Sequence, residues 1–175
     1  MPVQTRTAPD APPKPSEPPV PSALDRFNTA GHDNAVHTLL TCLPSLRWAH
    51  RIAAHRPYPD LAALLAAADE AAYDLTREDL TEALTSEPLP ALPEDTYSAA
   101  HTALRAAHAA YEARFGHVFV ICLDGLPAAE TLDHVLEGIR SRLTNDPEDE
   151  REVAAEQLRR LAKGRLRSTL RGPGF

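Results

Sequence analysis

The sequence has no apolar run that approaches the ~20 residues of a membrane-spanning helix, and it contains only two cysteines in 175 residues. Its first residues also lack the positively charged start and the apolar stretch of a secretory signal. Cys42 and Cys122 both lie among apolar residues, a setting that indicates reduced, buried thiols of a cytosolic protein. We therefore expect a soluble cytoplasmic protein that makes no membrane contact.

Two further kinds of pattern are missing from the chain. No segment alternates apolar and polar residues as a half-buried strand does. There is also no closed set of metal ligands and no glycine-rich phosphate loop.

The net charge of -7 argues against a nucleic-acid partner, although the stretch from Arg159 to Arg171 is locally basic. We expect a protein without a metal or other cofactor and without a nucleic-acid partner.

Proline is concentrated at the beginning of the chain, where eight of the 17 prolines fall within the first 22 residues. Such a composition forms neither a helix nor a packed core, so residues 1–22 are predicted to be a disordered tail. The remainder, residues 23–171, is long enough to form one domain with a substantial core.

Apolar residues recur at three- and four-residue steps through most of this domain, which predicts helices. The predicted helices run from Asp25 to Leu43, from Ser45 through the segment SLRWAHRIAAH, and from Pro147 to about Leu170. Further helices begin at the capping residues Asp60 and Thr76 and near Pro127. The prediction is an all-α fold, a compact single-domain bundle of about seven to nine helices.

The stretch from Tyr97 to Gly125 combines a helix with a short apolar run. His101, Leu104, His108, Tyr111 and Phe115 share one face of the helix, and Gly116 ends it. The run FVICL that follows must be buried, and it is either a strand or an extended segment threaded through a helical core. Its backbone amides and the imidazoles of the helix are predicted to form one wall of a site.

Four segments of the chain carry a resemblance to a known family. They contain Phe27-Asn28, CLPSLRWAHRIAAHRPY, the signature F-G-x-x-F-V-I-C and the signature R-L-x-N-D-P-x-x-E, in this order. The chain resembles the 2-oxo-4-hydroxy-4-carboxy-5-ureidoimidazoline (OHCU) decarboxylase family of the urate-to-allantoin pathway. The resemblance implies an all-helical, cofactor-free enzyme, usually a homodimer, that converts a small anionic ureido-imidazoline substrate to (S)-allantoin.

The resemblance implies site residues, with one exchange. Family members typically carry a His-Pro pair and then Ser-x-x-Glu-Gln, whereas this chain has Glu87-Pro88 and later Ser-Ala-Ala-His-Thr. A carboxylate therefore stands at the catalytic histidine position and His101 at the catalytic glutamate position, so these two are the expected catalytic pair. The substrate-binding residues implied by the family are Arg165, Ser98, Pro88, Thr102 and the backbone of Phe119, Val120 and Ile121.

Other interpretations of these residues remain open. Arg165 could pair with an internal carboxylate, and Glu87 and His101 could be an ordinary loop carboxylate and a helix histidine. The chain could then be a homologue that binds a metabolite or a protein partner, which the proline-rich tail and the exchanged pair favour. A related lyase reaction on another small anionic heterocycle is a third possibility. The catalytic interpretation requires that Glu87, His101 and Arg165 meet at one pocket.

Overall fold

A computed structural model describes residues 20–90 and 98–171, apart from the side chains of residues 98 and 99. Within these ranges the chain forms eight α-helices and no strand, which confirms the predicted all-α fold. The helices are α1 (Ala23–Thr29), α2 (His32–Leu40), α3 (Leu46–Ala54), α4 (Leu61–Tyr73), α5 (Arg77–Ser86), α6 (Ser98–Phe115), α7 (Ala128–Arg142) and α8 (Pro147–Arg171).

The prediction of one helix from Asp25 to Leu43 is wrong, because the chain breaks into α1 and α2. Ala30 is extended and Gly31 is the N-cap of α2. Arg56 explains why the first helix ends where it does: its Nη1 donates to the carbonyl oxygens of Phe27 and Ala30 at 2.6 and 2.8 Å. A cation that satisfies the free carbonyls of a last turn stabilises the helix end.

The predicted helix starts at polar caps agree with the structure. The Ser45 and Asp60 side chains accept hydrogen bonds from the amides of Trp48 and Ala63. Thr76 and Asp79 form a reciprocal capping box at the start of α5. Trp48 of α3 is buried, and its indole Nε1 donates to the Ala68 carbonyl of α4 at 3.0 Å. Its burial therefore joins α3 to α4.

The buried residues form two clusters separated by the segment 118–123. The larger cluster draws on α1 to α5 and α8, and the smaller one on α6 and α7. Val120 belongs to the larger cluster, whereas Phe119 and Ile121 belong to the smaller one. Alternate residues of an extended chain point to opposite sides, so this segment fills both clusters at once. Of the two forms predicted for it, the extended segment within a helical core is the one observed.

Glycine conformation fixes the two ends of this segment. Gly116, which follows the last residue of α6, has a φ of 76°, and Gly125 in the turn after the segment has a φ of 80°. Both angles lie in the left-handed region that a residue with a Cβ atom rarely adopts. The two glycines thus direct the chain out of α6 and into α7.

The two cysteines differ in how far they are buried, although the sequence predicted both to be buried. Cys42 is fully buried and burial raises the pKa of its thiol, while Cys122 is only half-buried. Neither forms a disulfide.

The predicted disordered tail falls almost entirely on residues 1–19, which lie outside the described residues. None of the helices in the described part of the chain is both long and apolar enough to cross a membrane.

Candidate functional site

The end of α5 determines the position of Glu87. It is the C-cap of that helix and is extended, and Pro88 after it prevents the helix from continuing. Its side chain is only 2% exposed. A carboxylate removed from water to this degree requires a cation or several hydrogen-bond donors.

Arg165 of α8 supplies that partner. Its Nη1 donates to Glu87 Oε2 at 3.1 Å and to the Cys42 carbonyl at 3.2 Å, and its Nη2 donates to Glu87 Oε1. The pair is therefore bidentate, and the hydrogen bond that Arg165 donates to Glu87 is the main reason why the pKa of Arg165 is raised. Among the described residues, no acceptor contacts Nε of Arg165.

The backbone of the segment 118–123 is held by side chains rather than by a neighbouring strand. Arg142 Nη1 donates to the Val120 carbonyl at 2.6 Å, and the Cys122 amide donates to Gln157 Oε1 at 2.8 Å. The guanidinium of Arg142 also lies 4.5 Å from the centre of the Phe119 ring. Residues from α7 and α8 thus fix an otherwise irregular stretch of chain.

Arg142 is itself part of a buried polar network. Its Nε and Nη2 donate to Glu150 Oε1 at 2.9 and 2.6 Å, and the Tyr111 hydroxyl donates to the same oxygen. Asn145 donates to the other oxygen, Oε2, at 2.8 Å. Glu150 is fully buried, so these donors replace the water that it has lost. Burial, followed by the hydrogen bond to Glu150, raises the pKa of Tyr111 well above its usual range.

One cavity of about 300 Å³ lies between these two groups of contacts. The Glu87–Arg165 pair lies on one side of it and the segment 118–123 on another. Asp124, in the turn after the segment, also lines it. The cavity therefore combines apolar walls with one ion pair and one additional carboxylate, and its size is at the lower end of that of small-molecule sites. The lining residues are Glu87, Pro88, Leu89, Pro90, Phe119, Val120, Ile121, Leu123, Asp124, Leu161 and Arg165.

The structure brings six of the nine residues predicted for the site to this cavity, namely Glu87, Pro88, Phe119, Val120, Ile121 and Arg165. His101 and Thr102 are exposed near the start of α6 and are not among the lining residues. Ser98 begins α6, and its side chain lies outside the described residues. The catalytic roles of Glu87 and His101 remain predictions, and of the three groups expected at one pocket, the cavity joins Glu87 and Arg165.

Sequence reasoning missed the side chains that hold the cavity wall. Arg142, Asn145 and Glu150 all belong to the signature R-L-x-N-D-P-x-x-E, where an arginine and a glutamate eight residues apart flank a turn. That spacing across a helix end was the available signal for a buried pair. Gln157 gave no such signal, because a glutamine inside a long polar helix is typical of a solvated face.

Comparison with known proteins agrees with this architecture. A family model described as OHCU decarboxylase matches residues 28–96 and 91–167. The two pieces meet in the segment between the cavity residue Pro90 and α6. A search of curated proteins finds no match.

Two solved structures are similar in fold. One is an (S)-allantoin synthase, 19% identical with a TM-score of 0.69, which matches over 86% of this chain and 54% of that chain. This chain thus spans about half the length of the allantoin synthase. The other is an OHCU decarboxylase solved in the presence of (S)-allantoin, 20% identical with a TM-score of 0.64, over 79% of this chain and 97% of that chain. Because the family model matches most of the sequence, the protein belongs to the OHCU decarboxylase family.

Proposed function

We propose that this protein decarboxylates 2-oxo-4-hydroxy-4-carboxy-5-ureidoimidazoline to (S)-allantoin, without a cofactor, in urate breakdown. The observation that carries the proposal is that Arg165, Glu87 and residues 119–121 line one cavity. Family membership and the fold support the same chemistry. The cavity volume of about 300 Å³ suits a ligand with a single small ring.

The reaction breaks the bond between a ring carbon and its carboxylate. Carbon dioxide leaves, the electron pair passes into the adjacent imine-type system of the ring, and a proton is then delivered to one face of the carbon. We assign proton delivery to His101, because histidine is the side chain suited to proton transfer near neutral pH. This assignment requires the start of α6 to bring His101, which does not line the cavity in the structure, up to the substrate. Glu87 is assigned as the carboxylate of the acid–base pair, while Arg165, Ser98, Pro88, Thr102 and the amides of Phe119, Val120 and Ile121 contact the substrate.

Arg165 keeps donors for an anion even while it is paired. A guanidinium has five N–H donors, of which Glu87 and the Cys42 carbonyl take three. The remaining donors are Nε–H and one proton on Nη2, which together form the side edge of the group. A substrate carboxylate bound at that edge would be held in two places without displacing Glu87.

The assay generates the unstable substrate in the cuvette with urate oxidase and hydroxyisourate hydrolase, and circular dichroism follows the formation of (S)-allantoin. Acceleration over the spontaneous decay is expected. Formation of (S)-allantoin at the spontaneous rate would refute the decarboxylase assignment.

Variants then test the two catalytic residues. His101→Ala and Glu87→Ala are each expected to lower kcat about 10²–10⁴-fold, as the loss of an acid–base group does. The matched controls are His134→Ala and Glu137→Ala, because both residues are exposed on α7, away from the cavity. They should leave kcat unchanged. Losses below about tenfold for both His101 and Glu87 would make the pair structural.

A second candidate function is binding of a small metabolite without decarboxylation. The bidentate Glu87–Arg165 pair favours it, because a carboxylate of the chain itself occupies the end of the guanidinium. In that case Glu87→Gln should tighten the binding of (S)-allantoin or a simple carboxylate, measured by calorimetry, without producing turnover. Unchanged affinity in Glu87→Gln would show that the pair does not limit ligand binding.

We also propose that the enzyme acts in the cytoplasm and is a homodimer. Light scattering coupled to size-exclusion chromatography should give twice the chain mass, and a monomer mass would contradict the dimer.

A further inference from the structure

A second cavity, also of about 300 Å³, lies on the other flank of the segment that walls the candidate site. Its chemistry differs from that of the first, because four of its seven lining residues are cations. The only carboxylate among them is Asp124, which lines both cavities. The lining residues are Cys122, Asp124, Arg159, Arg160, Lys163, Gly164 and Arg167.

Partners within the chain neutralise only part of this charge. Arg159 is paired with Asp69 and Glu156, and Lys163 lies 3.7 Å from Asp69. Arg160 and Arg167 form no ion pair or hydrogen bond with any described residue. A positive pocket is also unexpected in a protein whose net charge is -7.

The two unpaired arginines share one helical face with Lys163. Arg160, Lys163 and Arg167 follow one another at steps of three and four residues in α8, so their side chains lie side by side. Like charges at this spacing destabilise a helix. An anion held between them would remove that repulsion.

The glycine in this helix allows the cavity wall to approach closely. A Cβ atom at Gly164 would lie 2.2 Å from Asp124 Oδ2, so glycine is what permits the Asp124 carboxylate to pack against α8 in its observed position. The turn and the helix together make the site concave. A concave pocket of this size fits a small anion better than an extended polymer or a flat membrane surface.

We propose that this second cavity binds a small, multiply charged oxyanion of the phosphate-ester or diphosphate class. Arg160 and Arg167 would hold it through paired N–H donors, which match the geometry of phosphate oxygens, and Lys163 would add a point charge. Because Asp124 lines both cavities, an anion bound here would act electrostatically on the candidate active site.

Titration with pyrophosphate by calorimetry, at constant ionic strength, tests the proposal. Arg160→Ala/Arg167→Ala should weaken binding at least about tenfold, since each lost charge-assisted bond typically costs more than that. The control Arg105→Ala/Arg140→Ala removes the same charge from exposed positions of α6 and α7 and should change the affinity less than about threefold. If the double variant does not fold, Arg160→Glu alone gives the same comparison, because Arg160 is exposed.

Cys122 provides a second measurement that needs no enzyme activity. It is half-buried in the cavity whereas Cys42 is fully buried, so iodoacetamide should modify Cys122 first. Pyrophosphate should slow this modification in the wild-type protein but not in the arginine variant. The proposal would be overturned if pyrophosphate does not bind, or if the control variant weakens its binding as much as the arginine variant does. Binding of RNA or anionic vesicles that pyrophosphate does not displace would also overturn it.

Discussion

Removing the Glu150 carboxylate is expected to be one of the most damaging single changes in this protein. Glu150 is fully buried and accepts hydrogen bonds from Tyr111, Arg142 and Asn145. In Glu150→Ala, the Arg142 side chain, which is only 10% exposed, keeps the Val120 carbonyl and the Tyr111 hydroxyl as its remaining acceptors, and neither carries a charge. The variant therefore contains a buried charge without a counter-ion.

The expected magnitude follows from that arrangement. Breaking a buried ion pair by deleting one partner typically costs about 3–5 kcal/mol, chiefly because the other charge remains desolvated. For a chain of this length, each kcal/mol lowers Tm by about 2–4 °C, so Tm should fall by about 6–20 °C. The control Glu137→Ala breaks the Arg140 pair, whose two side chains are 67% and 76% exposed. It should cost less than about 1 kcal/mol.

Urea denaturation followed by far-UV circular dichroism measures these free energies of unfolding. The double variant Arg142→Met/Glu150→Leu removes both charges. Its free energy of unfolding should be at least about 2 kcal/mol higher than the separate losses in Arg142→Met and Glu150→Leu, added together, predict. A loss in Glu150→Ala no larger than that in Glu137→Ala would refute the assignment of a buried, mutually dependent pair.

Three further predictions test single contacts. His108→Leu should stabilise the protein, more at pH 5.5 than at pH 8, because both ring nitrogens are buried without partners and burial lowers the pKa of His108 from its ordinary 6.5. As the pH falls below 6.5, His108 binds a proton in the unfolded chain but resists it in the folded one, so the free energy of unfolding of the wild type decreases while that of the leucine variant does not change for this reason. Equal gains in Tm at both pH values would contradict this explanation. Gln157→Leu should cost about 1–3 kcal/mol and speed hydrogen exchange at the Cys122 amide, which loses its acceptor, whereas unchanged exchange would exclude that bond. Gly164→Ala should raise the free energy of unfolding by the full helix-propensity gain of about 1 kcal/mol only when it is combined with Asp124→Ala, because the new Cβ atom clashes with the Asp124 carboxylate. An equal gain from Gly164→Ala alone would show that this clash has no effect on stability.

The sequence predicted the helices because their caps and apolar faces are local features. Asp60 and Thr76 act as N-caps through contacts within three residues. The break between α1 and α2 depends instead on Arg56, which lies 26 and 29 residues beyond the carbonyls that it contacts. Local periodicity contains no information about such a partner, so two helices were predicted as one.

The candidate site was predictable to the extent that the family resemblance covered it. The resemblance implied Arg165, Phe119, Val120 and Ile121 as substrate-binding residues, and all four line one cavity, while their roles in binding remain predictions. It did not indicate that Glu87 would pair with Arg165, a contact across 78 residues. It also did not reveal Gln157, because a side chain that accepts one hydrogen bond from a loop amide produces no periodic pattern in the sequence.

The Glu87–Arg165 pair also has a consequence for how the protein matures. Arg165 lies 78 residues after its partner and is therefore synthesised later than Glu87. Until α8 docks, the Glu87 carboxylate has no cation and the Cys122 amide has no acceptor from Gln157. The cavity is therefore complete only once α8 has docked, and a chain truncated before residue 165 would have helices but no finished site.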